Sequence, residues 1–369
     1  MVMKKKSFYY HLFLFLSTFS RGLVELFSLV LLYKKGFSVE ELFFFLFLLY
    51  TFGIFVNYVS LKNSYKWVLI VSSILYGCSF LYLSWMENTY VSLFLLAILL
   101  ASSNYSYHVI RHYLACSLLD RKNMRTNIIV TVTYLGVIVA SIIGIFLIDR
   151  LPFVVTAILV SIGSFLGFLP ILKVKINEIE KKPLRIFNVK IKKKKVCFHI
   201  LEQFKVMFLE IQPLFLYLYV EQSIAYVGIF NVIMNIASLI LVYFLSKKIN
   251  KSYFKYFCIG LGLIFVLKLN VKSGVFLFGL AFLEGIFVKI YENVSLGNFY
   301  DVGNNDLRSY LLVEEFIFFG TKSLFMLFVV LFQMNIYLVL YLCIIGIVAS
   351  GFFIEDKVRK DKKAMLTKK

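Results

Sequence analysis

Apolar runs of about twenty residues follow one another along almost the entire chain, and each is long enough to cross a bilayer as an α-helix. The runs are continuous, unlike the shorter alternating strands of a membrane β-barrel. Hydrophobic residues make up 61% of the 369 residues and charged residues 16%, an apolar excess that one soluble core cannot bury. The pattern therefore predicts an all-α polytopic membrane protein.

A spanning length of about 20 residues divides the chain into about twelve transmembrane segments, with boundaries good to about 2–4 residues. The segments are 8–33, 39–60, 67–86, 89–112, 127–148, 152–172, 200–220, 224–246, 253–269, 274–296, 310–333 and 335–354. The first of them is too long for the apolar core of a signal peptide. We therefore expect it to remain in the protein as a helix.

The longest polar stretch inside the chain is the basic segment 173–195. Because a block this rich in lysine and arginine cannot stay in hydrocarbon, we expect it in the cytoplasm. It separates an N-terminal six-helix bundle at 1–172 from a C-terminal six-helix bundle at 200–354. The sequence thus predicts a basic cytoplasmic linker at 173–199 and a basic cytoplasmic tail at 355–369.

The lysines and arginines indicate on which side of the membrane each loop lies. Most of the 40 fall in the central segment, at the two ends and in alternate loops, which predicts that both termini are cytoplasmic. Those predicted to lie outside are Lys34, Lys35, Arg150, Lys268 and Lys272. We expect a multi-pass protein of the plasma membrane of a bacterial cell.

The net charge of +20 first suggests nucleic acid as a partner. However, the basic residues cluster between apolar runs, as topology signals do, so anionic lipid headgroups are the expected partners and nucleic acid is not. The five cysteines are far apart, which predicts neither a disulfide framework nor a zinc site. No phosphate-binding loop of the form G-x-x-x-x-G-K-[ST] occurs, so we expect no nucleotide, metal or other cofactor. We also expect a monomer.

The two halves of the chain resemble each other at an offset of about 185 residues. Glu25 of the first segment aligns with Glu210 of the seventh, and Ser38, which opens the second, aligns with Ser223, which opens the eighth. An even number of helices in each half makes the halves parallel, related by an axis along the membrane normal. The sequence therefore predicts two pseudo-symmetric bundles.

This architecture resembles the major facilitator superfamily (MFS), whose members have six helices, a basic cytoplasmic loop and six more helices. The family's motif between helices 2 and 3 is roughly G-x-x-x-D-R-x-G-R-K. Asn57 stands at the first glycine and Leu61 at the aspartate, whereas Lys62 and Lys66 keep the basic character of their positions. The charge-relay role of the missing aspartate is therefore not carried over.

A second motif, G-x-x-x-G-P-x-x-G-G in helix 5, is associated with antiporters of this family. Gly136 and Gly144 match two of its glycines, and Ala140 and Ser141 replace its Gly-Pro pair. Small residues that permit close helix packing are thus kept, but the proline is lost. The resemblance implies the MFS fold, transport by alternating access, and a central cavity lined by helices 1 and 7.

Ionisable residues inside a membrane span cost roughly 2.5–3.5 kcal/mol at its centre and normally face a cavity or a partner. Arg21 and Glu25 lie four residues apart and can pair on one helix face. Glu284 falls near the predicted midplane of the tenth segment. The candidate substrate or proton-coupling residues are Arg21, Glu25, Glu210, Glu284, Lys289, Lys322, Asn231 and Asn235, with Arg111 as a secondary candidate.

Each candidate also has a structural interpretation. Arg21 and Glu25 form a self-neutralising pair in that view, and Glu284 neutralises Lys289 or a residue of another helix. Asn231 and Asn235 then make interhelical hydrogen bonds.

The preferred function is secondary active transport of a small molecule by alternating access, with export favoured over import. The Phe and Tyr content of the predicted cavity helices favours a lipophilic, drug-like or peptide-like substrate, with coupling to protons through Glu25, Glu210 or Glu284. One alternative is a non-transporting membrane receptor or immunity protein on the same scaffold. Another is an intramembrane enzyme such as a CAAX-type protease, but Glu314 and Glu315 lack the following arginine of that motif, so we expect no enzyme.

Overall fold

A computed structural model describes residues 2–118, 127–173, 184, 189–245, 253–271, 273–299 and 306–354. All regular secondary structure in these ranges is helical. In chain order the helices are α1 (Val2–Gly22), a 3-10 turn (Glu25–Phe27), α2 (Ser28–Lys34), α3 (Val39–Lys62), α4 (Tyr65–Trp85), α5 (Tyr90–Leu118), α6 (Asn127–Arg150), α7 (Phe153–Leu172), α8 (Lys193–Tyr219), α9 (Ile224–Leu245), α10 (Phe254–Asn270), α11 (Gly274–Phe299), α12 (Leu307–Leu331) and α13 (Ile336–Ser350).

Eight helical stretches of the described chain are long and apolar enough to cross a membrane, which makes this a polytopic helical membrane protein. They include α3 to α7, α9, most of α11, and the first segment from Phe8 to Lys34. The other four predicted segments are also helical, as α8, α10, α12 and α13. Of these, α8 and α12 carry several charged side chains, whereas α10 and α13 are shorter, with 17 and 15 residues.

The first predicted span is not one continuous helix. Helix α1 ends at Gly22, a 3-10 turn holds Glu25, and α2 restarts at Ser28. The backbone of α6 comes very close here, since a Cβ placed on Gly144 would lie 2.4 Å from the carbonyl oxygen of Leu23. Only glycine permits that approach, so Gly144 packs directly against the interruption.

The same packing pattern occurs in both halves of the chain. In the first half, α3 packs on α5, α4 on α5 and α7, and α1 on α6 and α7. In the second half, α9 packs on α11, α10 on α11 and α13, and α8 on α12 and α13. Across the halves, the α3–α12 contact has its counterpart in α9–α6. A shift of six segments therefore maps each of these helix pairs onto another.

Local signals in the sequence also appear in the structure. The S-x-x-E form of residues 38–41 predicts a capping box at the start of α3. The box is present: the Ser38 amide donates to Glu41 Oε2 at 2.8 Å and the Glu41 amide to Ser38 Oγ at 3.3 Å. Pro213 lies inside α8. That helix begins at Lys193, before the predicted end of the linker at 199, because the last lysines of the basic block form its first turn.

Gly285 gives a direct test of the helix packing. A Cβ on Gly285 would lie 2.0 Å from the carbonyl oxygen of Met234 on α9, whereas one on Gly279 of the same helix meets nothing within 4 Å. We expect Gly285→Ala to destabilise the fold by about 1–3 kcal/mol, the usual effect of overpacking, and Gly279→Ala to leave it unchanged. Thermal melting of both variants in detergent measures this, and equal melting temperatures would contradict the packing described here.

Candidate functional site

A cavity of about 480 Å³ lies between the two halves. Its wall combines residues of α1, α5 and α6 with residues of α8, α9, α11 and α12, and it sits toward the end of the bundle that carries the start of α1. Its polar lining comprises Tyr10, Arg111, His112, Thr133, Tyr134, Glu202, Gln203, Lys205, Asn235, Ser238, Lys289, Glu292 and Ser295. The volume is that of a typical small-molecule site.

Glu292 on α11 is the centre of one charged cluster in this wall. Its Oε1 lies 3.7 Å from Lys205 Nζ of α8, and its Oε2 lies 3.4 Å from Lys289 Nζ. Tyr134 on α6 donates its hydroxyl hydrogen to Glu292 Oε2 at 2.7 Å. Since α6 belongs to the first half, this bond joins the two halves directly across the cavity.

A second cluster lies beside it, where Glu202 on α8 reaches the cavity. Glu202 Oε2 is 3.3 Å from His199 Nδ1, and its other oxygen accepts a hydrogen bond from Ser295. His199 Nε2 is in turn 3.1 Å from Glu314 Oε1 on α12. Glu314 also pairs with Lys195 at 3.1 Å and accepts from Tyr310. This network ties α8, α11 and α12 together in the second half.

Arg21 forms a buried cluster further along the first span. Its guanidinium donates to Asn104 Oδ1 at 2.5 Å and to Ser72 Oγ at 2.9 Å, and it packs over the ring of Tyr76 at 4.4 Å from the centroid. Asn104 Nδ2 then donates to Glu25 Oε1 at 3.2 Å. The predicted Arg21–Glu25 pair is therefore bridged by an amide, and the accessible Glu25 carboxylate lies in the 3-10 turn.

A fourth cluster joins the halves between α3, α8 and α12. Glu210 accepts a hydrogen bond from Tyr50 on α3, and its Oε1 is 3.4 Å from Lys322 Nζ on α12. The Lys322 ammonium also lies 4.6 Å from the ring centroid of Tyr50. The 3-10 turn that holds Glu25 packs on α8, the helix that carries Glu210, so the two residues that the sequence offset aligns lie on contacting elements.

Glu284 lies apart from this site. Its Oε2 is 2.5 Å from Lys268 Nζ, both side chains are fully buried, and Phe208, Phe230 and Phe265 surround the ammonium. The pair sits within the second half and is not part of the cavity wall. Lys268, counted in the sequence among the residues on the outside, is thus buried within α10.

Asn231 and Asn235 on α9 lie where the two halves meet. Asn231 Nδ2 donates to Ser141 Oγ of α6 at 2.9 Å, and Asn235 donates back to the Asn231 side chain at 3.0 Å. Asn235 also lines the cavity. Asn231 therefore makes the interhelical hydrogen bond, while Asn235 both bonds to Asn231 and lines the cavity.

Among the sequence candidates, Arg111, Lys289 and Asn235 reach the cavity, and Arg21, Glu25, Glu210 and Lys322 form the neighbouring clusters. Several residues of the site were not among those candidates, including Tyr50, Tyr134, Glu202, Lys205 and Glu292. A charge inside an apolar run is a signal that identifies Lys205 and Glu292. The two tyrosines have no such signal in a chain with 24 of them.

No group of three or more His, Cys, Asp and Glu side chains suited to a metal ion occurs in the part of the chain that the structure describes. What the arrangement offers chemically is a set of ammonium, guanidinium, carboxylate and hydroxyl groups around a space of small-molecule size.

Comparison with protein-family models and with curated protein sequences finds no match for this chain.

Proposed function

We propose that this protein is a secondary active transporter of a small molecule that works by alternating access. The observation that carries the proposal is the cavity whose wall is shared by two halves with the same helix packing. In such transporters a site at the interface between repeats is exposed to each side of the membrane in turn as the halves rock. A receptor or an enzyme does not need this repeated construction.

The buried charges support the same function. Charged side chains are costly inside a bilayer, so they are normally placed where they face a water-filled path, a substrate or each other. Here Glu292 and Glu210 each accept a hydrogen bond from a tyrosine of the opposite half. Breaking such bonds on one side of the protein while they form on the other is what a rocking motion requires.

The finer features are part of the proposal. The arrangement is that of twelve spanning helices in two six-helix bundles, as in the MFS, with both termini in the cytoplasm and the protein in the plasma membrane as a monomer. The recurring helix pairs support this arrangement, because α8, α10, α12 and α13 occupy the same places as the first, third, fifth and sixth spans of the first half. Export remains the preferred direction.

The transport proposal is tested with a deletion strain and inverted membrane vesicles. A susceptibility screen identifies compounds to which the deletion strain is more sensitive, and one of these should accumulate in energised vesicles that contain the protein. If export is coupled to protons, a protonophore should collapse the accumulation. Vesicles that accumulate none of the compounds, although they contain folded protein, would contradict the proposal.

A further inference from the structure

Arg111 is a cation of the cavity wall with no carboxylate at ion-pair distance among the residues that the structure describes. It lies near the end of α5, lines the cavity and is partly accessible. No ion pair joins its guanidinium to a carboxylate within the described ranges, and its guanidinium carbon lies 5.8 Å from the ring centroid of Tyr107. A planar guanidinium offers a fixed fork of donors that matches the two oxygens of a carboxylate.

Opposite Arg111, the second half contributes two ammonium groups to the same cavity. Lys205 and Lys289 share the single carboxylate of Glu292, at 3.7 Å and 3.4 Å. One carboxylate cannot neutralise two ammonium groups. The wall around Glu292 therefore keeps a positive charge that a ligand can balance.

The other carboxylates near the cavity are already engaged. Glu202 is held by His199 and Ser295. Glu25 accepts a hydrogen bond from Asn104 at 3.2 Å, and Glu315 accepts one from Asn57 at 3.4 Å. Arg111, Lys205 and Lys289 are thus the cations left for a negatively charged group.

The rest of the wall is suited to an apolar molecule. Phe299 and Phe318 contribute stacked rings, and Leu14, Val206 and Leu209 contribute aliphatic side chains. A ligand with only a charged group would leave this surface without a partner, whereas a neutral lipophilic molecule would leave the cations without one.

We propose that the cavity binds an amphipathic organic anion, with a carboxylate between Arg111 and the Lys205–Lys289 pair and an apolar body against the aromatic and aliphatic wall. The inference rests on the proposed function in taking this cavity as the transport site. Because Arg111 belongs to the first half and both lysines to the second, the anion bridges the halves. Glu292 then competes with the ligand for the two lysines.

The binding test uses the purified full-length protein in detergent and three probes with the same body. They are dansyl-aminohexanoate, its uncharged methyl ester, and the corresponding dansyl alkylamine, which is a cation. We expect the carboxylate to bind at least about tenfold more tightly than the ester, because the ester cannot form a charge-assisted hydrogen bond with the three cations. The amine should bind most weakly, because its positive charge is repelled by them. Equal binding of all three probes, or tightest binding of the amine, would overturn the proposal.

Two variants with opposite expected effects separate binding from folding. Arg111→Gln should weaken carboxylate binding about 10- to 100-fold while leaving ester binding unchanged, and Arg111→Lys should recover part of the loss. Glu292→Gln should tighten carboxylate binding roughly three- to tenfold, because it releases Lys205 and Lys289. A general loss of structure would weaken the binding of both the carboxylate and the ester in both variants, and that result would contradict the assigned roles. Arg150→Gln, at the exposed end of α6, is the matched control and should change nothing.

A failure of the anion-site proposal can be distinguished from a failure of the transport proposal. Proteoliposomes loaded with each probe report movement across the membrane separately from binding. Carboxylate binding without movement would retain the anion site and contradict transport. Movement of the amine in place of the carboxylate would retain transport and overturn the anion site.

Discussion

Replacing either Lys268 or Glu284 alone should leave little folded protein, whereas replacing both should restore it. The two side chains are fully buried and their charged atoms are 2.5 Å apart. Loss of one partner leaves an uncompensated charge among Phe208, Phe230 and Phe265, which costs about 3–5 kcal/mol for a buried pair. Replacement of both by apolar residues of similar size is neutral or stabilising in comparable cases.

The measurement is the melting temperature and folded yield of Lys268→Met, Glu284→Gln and the double variant Lys268→Met/Glu284→Leu, followed by size-exclusion chromatography in detergent. Glu221→Gln and Arg150→Gln, at exposed positions, are the matched charge-removing controls and should melt like the wild type. Single variants as stable as the wild type would show that the pair is not needed for folding. A double variant less stable than either single one would contradict the buried-pair explanation.

Glu210→Gln should abolish transport while the protein remains folded. Glu210 connects Tyr50 of the first half with Lys322 of the second, and its side chain is 38% exposed, so the amide fits without burying a new group. A neutral amide cannot hold the Lys322 ammonium through an ion pair or exchange a proton. We expect uptake into inverted vesicles to fall about 100-fold or more, which is the loss of a group that acts in every cycle.

Two substitutions at the same interface that keep its charges are compared with Glu210→Gln. Tyr50→Phe removes the cross-half hydrogen bond to Glu210 and keeps both charges. Thr51→Val removes the 2.7 Å contact between Thr51 Oγ1 and Ser323 Oγ and touches no charge. Both should reduce uptake less than Glu210→Gln does. Wild-type uptake in Glu210→Gln, at wild-type expression, would remove this residue from the mechanism.

The sequence was sufficient to predict the helices. Length and apolar character located every predicted segment on a helix, and the S-x-x-E pattern predicted the cap at Ser38. It did not predict the interruption at Glu25, because no proline marks it and the close approach of Gly144 to Leu23 comes from a distant part of the chain.

The internal repeat was the most informative signal for the site. It aligned Glu25 with Glu210 without any knowledge of packing, and the turn that holds Glu25 packs on α8, the helix of Glu210. It could not give their immediate partners, Asn104 and Tyr50, because uncharged polar residues are common on transmembrane helices.

The depth of Glu284 in the membrane was not sufficient to predict its role. Its position along the tenth segment predicted a group near the midplane, where a proton site would be expected. Whether such a group faces a cavity or a neighbouring helix depends on helix rotation and on the partner. The partner, Lys268, was counted only as a topology signal on the outer side, although it is buried near the end of α10.

Distances between spin labels at the two ends of the bundle test the rocking of the halves most directly. One labelled pair joins Val91 of α5 to Val275 of α11, and the other joins Phe8 of α1 to Tyr253 before α10. All four side chains are exposed, and the accessible native cysteines are replaced first. We predict two populated distances for each labelled pair. Adding dansyl-aminohexanoate or changing the pH should shift the populations, so that the mean distance of one pair increases while that of the other decreases. A single unchanging distance at both ends under every condition would contradict alternating access.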